Sequence, residues 1–310
     1  MTTAEQQMSF GYEGISSFCN MPVCFELDQL KADVAILGVC LDTGTTNRSG
    51  TRHGPRAIRE ASGLYSMGYE PEAGFYDVEL GKHLLAGKKI VDCGDVPTLP
   101  TLLDDTFAMI SGGIEAVREQ GALPVVLGGD HSISFPVVRG FADTPLHVVQ
   151  FDTHLDYMDE EFGIRYSHAN PMKRISELDN VTGMTHIGIR GLLNLPDWAA
   201  AGSSGKSSFH TADQVHEKGV DFIGAQIPEV PNIYITLDID ALDPAEAPGT
   251  GTPEPGGLSY RQLRKLLRIC VGKGKLVGLD LVEVNPLFDP TGRTAQLAAR
   301  LILDTLGAGV

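Results

Sequence analysis

Short apolar runs recur along the chain, with helix-spaced stretches between them. Val34 to Val39, Ile90 to Cys93, Leu123 to Leu127 and Leu146 to Phe151 come first; Thr185 to Ile189, Ile233 to Leu237 and Leu276 to Leu281 follow in the same style. Each is of strand length, β-branched and nearly continuous in hydrophobicity, which is the pattern of a strand covered on both faces. Between them, residues 104–120, 259–271 and 294–306 carry helical patterns. Strands alternating with helices predict βαβ units and a mainly parallel central sheet, hence an α/β fold built as a three-layer α/β/α sandwich. Ligands of such sheets bind beyond the carboxyl ends of the strands, so the residues just after each run are where chemistry is expected. The loops Gly44 to Pro55 and Pro244 to Gly257 are longer than simple connections need and are candidate functional loops. The sequence shows no internal repeat, low-complexity linker or charge block. We therefore expect one domain over residues 31–310, preceded by an arm over 1–30 that wraps the surface or a neighbouring subunit.

Composition narrows the class. No apolar stretch approaches the roughly 20 residues of a membrane span, and Met1 to Phe10 lack the basic-then-apolar order of a signal peptide, so a soluble protein in the cytoplasm, with no membrane partner, is expected. Cys19, Cys24, Cys40, Cys93 and Cys270 are odd in number, scattered and free of CxxC pairs, which argues against a disulfide framework and a thiolate metal site. A net charge of −16 disfavours nucleic acid as a partner. It weakly favours a small cationic substrate, although most of the acidity serves solubility.

The chemistry lies in three segments, each directly behind an apolar run: Gly128-Gly129-Asp130-His131-Ser132, Asp152-Thr153-His154-Leu155-Asp156 and Asp238-Ile239-Asp240. Asp152, His154 and Asp156 alternate, so on an extended strand end they point to one side. The plainer alternative, a solvent face of a strand, conflicts with the apolar Val148-Val149 ahead of them, because burying uncompensated carboxylates is costly. His131 alone would mean little, but in this company it is a candidate ligand. The candidate metal ligands are thus His131, Asp152, His154, Asp156, Asp238 and Asp240, an oxygen and imidazole set without thiolate. Six such donors exceed what one ion with an open reaction site needs, so two divalent cations sharing carboxylates are expected, with a hydroxide held between them. Asp243, before Pro244, is assigned to a turn.

These segments carry a resemblance. GGDHS, DxHxD and the stretch Thr236 to Pro253, together with Gly44-Thr45-Thr46 and Gly54 to Arg59, are similar in order and spacing to the ureohydrolases, the arginase and agmatinase family, and closest to its agmatinase-like branch. The match spans roughly residues 30 to 305 and implies the arginase-like fold. It implies that His131, Asp152, Asp156 and Asp238 hold one metal, that Asp152, His154, Asp238 and Asp240 hold the other, and that the ions are Mn(II), with Ni(II), Co(II) or zinc compatible with the same donors. By the same resemblance His168 shuttles a proton to the leaving amine, Glu283 pairs with the substrate guanidinium and Asp156 orients the hydroxide. A homo-oligomer, a trimer or hexamer, is implied too.

The expected reaction is hydrolysis of a C–N bond in a linear amidine, giving urea and an amine. Where arginases carry an asparagine two residues after DxHxD this chain has Met158, and a thioether cannot hold a carboxylate. The substrate is therefore expected to lack the α-amino acid head, as agmatine does. Thr153, Leu155, Tyr157 and Ala169-Asn170 depart from the usual agmatinase pattern, which keeps guanidinobutyrate, guanidinopropionate, free guanidine and an alkylated guanidine or biguanide open. Tyr157, Met158 and the Gly44 to His53 loop are the expected tail selectors, with His53 itself assigned to packing. A reading of another class is an inactive guanidine-binding or partner subunit; a single-zinc deacetylase is a further one. The complete donor set, His168 and Glu283 argue against both.

Overall fold

In the computed structural model, which describes residues 14–99, 101–160, 162–202 and 205–310, every predicted apolar run is a strand. The strands are β1 (Val34–Val39), β2 (Tyr69–Glu70), β3 (Gly74–Asp77), β4 (Lys82–Leu84), β5 (Ile90–Val96), β6 (Leu123–Leu127), β7 (Leu146–Phe151), β8 (Val181–Ile189), β9 (Ser207–Thr211), β10 (Asn232–Asp238) and β11 (Lys275–Val282). Eight of them form one sheet in the order β5-β1-β6-β11-β10-β7-β8-β9, and every pairing in it is parallel. The helices are α1 (Gly54–Ser66), α2 (Leu103–Glu119), α3 (Ser134–Arg139), α4 (Pro171–Ser176), α5 (Pro196–Gly202), α6 (Ala212–Lys218), α7 (Val220–Gly224), α8 (Tyr260–Val271) and α9 (Arg293–Gly309).

Successive strand residues serve opposite layers, as the pleat requires. Val34 and Ile36 of β1 pack with α1 and α6 to α9, while Ala35, Leu37 and Val39 pack with α2, α3 and α4. Both faces are dry, which is why the runs read as continuous rather than alternating. No helix among the described residues is long and apolar enough to cross a membrane, and all five cysteines are free thiols.

Three elements had no apolar signal in the sequence. Edge strand β9 reads Ser-Ser-Phe-His-Thr and has a single neighbour, β8. The small antiparallel sheet β2-β3-β4 is short and partly exposed. Helix α1 buries Arg59, Ser62 and Gly63 beside Ile58, so its inner face is largely polar or small.

That polar face anchors the chain's start. Arg59 clasps Asp92 of β5 with two bonds, Nε to Oδ2 at 2.8 Å and Nη2 to Oδ1 at 3.0 Å. Asp92 Oδ2 also accepts from Phe18 N at 2.8 Å, and Ser62 Oγ accepts from Cys19 N at 2.7 Å. Phe18, Cys19, Val23 and Cys24 of the expected arm thus meet α1 and β5 of their own chain, and Leu27 and Leu30 pack with α2; residues 1–13, with the segment read for a signal peptide, fall outside the described residues. Replacing Arg59 by Leu leaves the buried Asp92 without its countercharge and is expected to cost about 3–5 kcal/mol. Urea unfolding measures this, and a loss below about 1 kcal/mol would demote the pair to a surface-like contact.

Candidate metal centre

Five neighbouring strands, β1, β6, β11, β10 and β7, deliver their carboxyl ends to one place. Behind β6 the chain turns at Gly128 and Gly129, threaded between its neighbours. Gly128 N donates to Leu281 O at 2.7 Å and Asp130 N to Leu41 O at 2.8 Å. A Cβ on Gly129 would lie 1.7 Å from Leu41 O, so only glycine fits there. The turn presents His131. Beyond β7 come Asp152, His154 and Asp156, and β10 ends in Asp238, whose Oδ1 accepts from Asp240 N at 2.8 Å and fixes the next bend.

The six predicted donors meet and are all buried. His131 Nδ1 is 2.8 Å from Asp156 Oδ2, 3.0 Å from Asp152 Oδ2 and 3.4 Å from Asp238 Oδ2. His154 Nδ1 is 3.3 Å from Asp240 Oδ2 and 3.6 Å from Asp152 Oδ1. Two metal-capable triads result, His131/Asp152/Asp156 and Asp152/His154/Asp240, and Asp152 belongs to both.

Hydrogen bonding fixes which nitrogen of His131 faces the carboxylates. Thr236 Oγ1 donates to Asp280 Oδ1 at 2.6 Å, so the same oxygen accepts the Nε2–H of His131 at 2.9 Å. Nδ1 is left with no hydrogen bond although three oxygens surround it. A nitrogen aimed into a ring of anions calls for positive charge there, as a proton on the ring or a bound cation, and a divalent ion fits this oxygen-rich, thiolate-free set.

Protonation shows the same demand. Burial raises Asp152, and repulsion from Asp156 and Asp240 adds to it, to about 7. Burial, then Asp240 and Asp152, push Asp238 well above the ordinary carboxylate range. Burial opposes charge on His154, but Asp240, Asp152 and Asp156 outweigh it and lift the imidazole to about 10. Burial also opposes ionisation of Asp240, yet His154 and Arg190 hold it at about 2.

Glu283, the residue after β11, sits beside the cluster at a left-handed φ of 63°, and Asp156 has φ 49°. Non-glycine residues take this region at a cost, and such strain gathers at functional sites. Glu283 Oε1 accepts from His131 N at 2.9 Å and lies 3.2 Å from His168 Nδ1. Its Oε2 is buried with no partner. His168 Nε2 meets Thr46, the hydroxyl at 2.7 Å and the backbone N–H at 3.2 Å. Burial works against protonation of His168, but Glu283 and then Asp130 and Asp156 raise it to about 9.

A cavity of about 280 Å³ opens over these groups, with His154, Asp156, Asp238, His168, Glu283, Thr46 and Thr252 in its wall and Met158, Ala169, Leu192, Leu193, Leu195 and Trp198 towards its mouth. Of the two residues expected to select the tail, Met158 is among those that line the cavity. Tyr157 is not: its ring packs 6.0 Å from that of His186 and its hydroxyl lies 3.4 Å from Ser207 Oγ. Of the Gly44 to His53 loop, Thr46 reaches the site, while His53 is exposed rather than packed.

A supporting ring that no motif announces surrounds these donors. Gln150 Nε2 donates to Asp152 Oδ2 at 2.7 Å and to His154 O at 3.1 Å, and its Oε1 meets His186 Nδ1. Asp130 accepts from Gly44 N at 2.8 Å, tying the first loop to the second. Gln150, Thr236 and Asp280 each interrupt an otherwise apolar strand, and that interruption is the signal that marks them in the sequence.

Residues 32–307 match the model of the Arginase family. The chain belongs to the arginase family. It is 37% identical to the guanidinopropionase of Pseudomonas aeruginosa over 304 residues, covering 95% of this chain and 92% of that protein. It is 35% identical to the mitochondrial agmatinase of Gallus gallus, over 94% of this chain and 85% of the other. Among solved structures, the proclavaminate amidino hydrolase of Streptomyces clavuligerus superposes with a TM-score of 0.83 at 34% identity, covering 97% of this chain and 98% of that one. The family depends on pairs of divalent metal ions, and the agmatinase-like branch is present among these relatives.

Thr236→Val removes the acceptor that fixes the His131 tautomer. Divalent-cation affinity is expected to fall about 10–100-fold with the fold retained. Calorimetric titration with Mn(II), beside a circular dichroism spectrum, measures both, and unchanged affinity would show that Thr236 does not orient His131.

Proposed function

We propose that this chain is a binuclear metal-dependent amidinohydrolase that cleaves a guanidino compound lacking an α-amino acid head to urea and an amine. One observation carries the reading: the cavity is lined by Glu283, whose Oε2 has no partner, together with Asp156 of one donor triad and His154 of the other. A guanidinium is a planar cation suited to that carboxylate, and relatives are named for guanidinopropionate and agmatine hydrolysis. Their differing names leave the tail of the substrate to this chain's own cavity.

His131, Asp152, Asp156 and Asp238 would hold one ion and Asp152, His154, Asp238 and Asp240 the other. Four carboxylates against two imidazoles make a hard donor set, which favours Mn(II) over Ni(II) or Co(II). When bound, the ions supply Lewis acidity that brings a water's pKa towards neutrality.

The remaining steps belong to the protein. Glu283 orients the guanidinium through Oε2, and Asp156 aligns the attacking water. A C–O bond forms at the guanidinium carbon and the C–N bond to the substituted nitrogen breaks, its electron pair leaving with the amine. His168 gives that nitrogen its proton, a contribution of about 10² to 10⁴ in rate. Glu283 is the leading attraction that keeps His168 protonated, so a cation docked on Glu283 offsets that hold and makes His168 a better acid. Residues 31–310 act as one catalytic domain within a cytoplasmic homo-oligomer of three or six chains in this proposal.

Asp152→Asn, which weakens both triads at once, is expected to abolish urea release and lower metal content below one ion per chain. Turnover that persists at the wild-type rate would exclude Asp152 from the centre. Metal uptake should also release protons, because ligation displaces those held by His154 and Asp152 at neutral pH. Apparent affinity is therefore expected to rise with pH between about 6 and 10, with at least one proton released per chain at pH 7. Calorimetry in buffers of differing ionisation enthalpy counts them; a count of zero contradicts the assignment.

A further inference from the structure

The outer half of the cavity differs in kind from its floor. The charged lining groups, His154, Asp156, Asp238, His168 and Glu283, are all at the reacting end. The rim is Met158, Ala169, Leu192, Leu193, Leu195 and Trp198, and among the described residues that line it none carries a charge. The two lining hydroxyls are engaged: Thr46 Oγ1 with His168 Nε2 at 2.7 Å, and Thr252 Oγ1, which donates to Asp240 Oδ2 at 3.4 Å. The acids that flank the rim in sequence, Asp159, Glu160, Asp197 and Glu254, are not among the residues that line the cavity. Asp159 pairs with Arg174, and Glu254 Oε1 accepts from Leu192 N at 3.4 Å.

A charged tail entering here would lose water and gain no partner. An apolar tail would cover surface that is unusually bare: Leu192 is 94% exposed, Leu193 52% and Leu195 50%. Three exposed leucines within four residues form a lip at the mouth of a cavity, and such patches mark places where apolar groups bind.

We infer that the substrate is a guanidine bearing a short, uncharged, apolar substituent, an N-alkylguanidine, with Met158, Trp198 and the leucines of 192–195 holding the alkyl group. This rests on the amidinohydrolase reading above and adds the class of tail. The reaction is unchanged: water adds at the guanidinium carbon, the alkyl-bearing nitrogen departs with its electron pair, and the products are urea and an alkylammonium ion. Free guanidine would react without the grip of the rim, while amines and acids would meet a rim that rejects them.

The test is urea release by the metal-loaded protein from free guanidine, the N-methyl to N-butyl series, agmatine, 4-guanidinobutyrate and arginine. Each buried methylene is expected to raise kcat/KM about fourfold, and N-butylguanidine to exceed agmatine and 4-guanidinobutyrate at least about tenfold. Equal or faster turnover of either charged compound, or no gain from lengthening the alkyl chain, overturns this inference and leaves the amidinohydrolase reading standing. Silence on every guanidine with two ions bound overturns both. Leu193→Asp is expected to shift the preference from butylguanidine towards agmatine by at least about tenfold; an unmoved ratio counts against the rim. Trp198 is the chain's only tryptophan, so its emission reports tail binding without turnover. Butylguanidine should shift the emission of the metal-free protein to the blue at concentrations where agmatine does not, and an equal response to both counts against the inference.

Discussion

The structure depends on the need of four carboxylates for positive charge at the end of a parallel sheet. Asp152, Asp156, Asp238 and Asp240 lie within a few ångströms of two imidazoles, and all are buried. Taking each carboxylate out of water costs several kcal/mol after relaxation. The chain meets part of that cost with its own groups, since Arg190 and His154 keep Asp240 ionised, and leaves the rest to whatever cation binds. Protons are the substitute, which is why Asp152 and Asp238 are driven upward and His131 well above its ordinary value despite burial. A fold that carries this much uncompensated charge at its centre has given up stability to a site.

Holding such a cluster takes a rigid scaffold. The flanking strands supply it, because a turn behind β6 is locked between Leu41 and Leu281, and a side chain on Gly129 would collide with the Leu41 carbonyl. Behind the donors a ring of buried hydrogen bonds sets their directions, from Asp280 through Thr236 to His131 and from His186 through Gln150 to Asp152. Asp156 and Glu283 are held in left-handed backbone that costs about 1–3 kcal/mol each and persists only where the surroundings over-determine it. That strain turns Glu283 back across the sheet end, so that one oxygen faces His131 N and His168 while the other stays bare.

Much of this was legible in the sequence because two signals were strong. Strands dry on both faces write themselves as unbroken apolar runs, and ligands on alternate residues write themselves as DxHxD. The strand geometry expected for them is not what joins them, since β7 ends at Phe151 and Asp152, His154 and Asp156 lie in the bent segment behind it, with Asp156 in left-handed backbone. Elements without a large apolar face escaped notice: β9 at the sheet edge, the small sheet β2-β3-β4, and α1 with Arg59 and Ser62 on its buried side. Tyr157 and Met158 show where adjacency misleads: both follow the DxHxD segment outside any strand, yet Met158 lines the cavity and Tyr157 packs beside His186. The cavity rim was beyond reach for another reason. Leu192, Leu193, Leu195 and Trp198 lie far along the chain from the DxHxD segment, and only the loop after β8, folded over the end of β7, brings them to the same cavity.

The two halves of the cavity also act on each other. In the proposed complex an apolar substituent lying against the rim would displace water and lower the effective dielectric around Glu283, which would strengthen the attraction between that carboxylate and a guanidinium. On that proposal tail burial and head recognition would be coupled, because a substituent that covers the rim would make the head bind more tightly than a solvated head would. A polar tail would keep water at the mouth and weaken the carboxylate's grip as well as its own. The same sealing bears on His168, whose proton is held chiefly by Glu283 against the cost of burial. In the proposed reaction a cation docked on Glu283 would offset that hold, and the proton would become available to the leaving nitrogen.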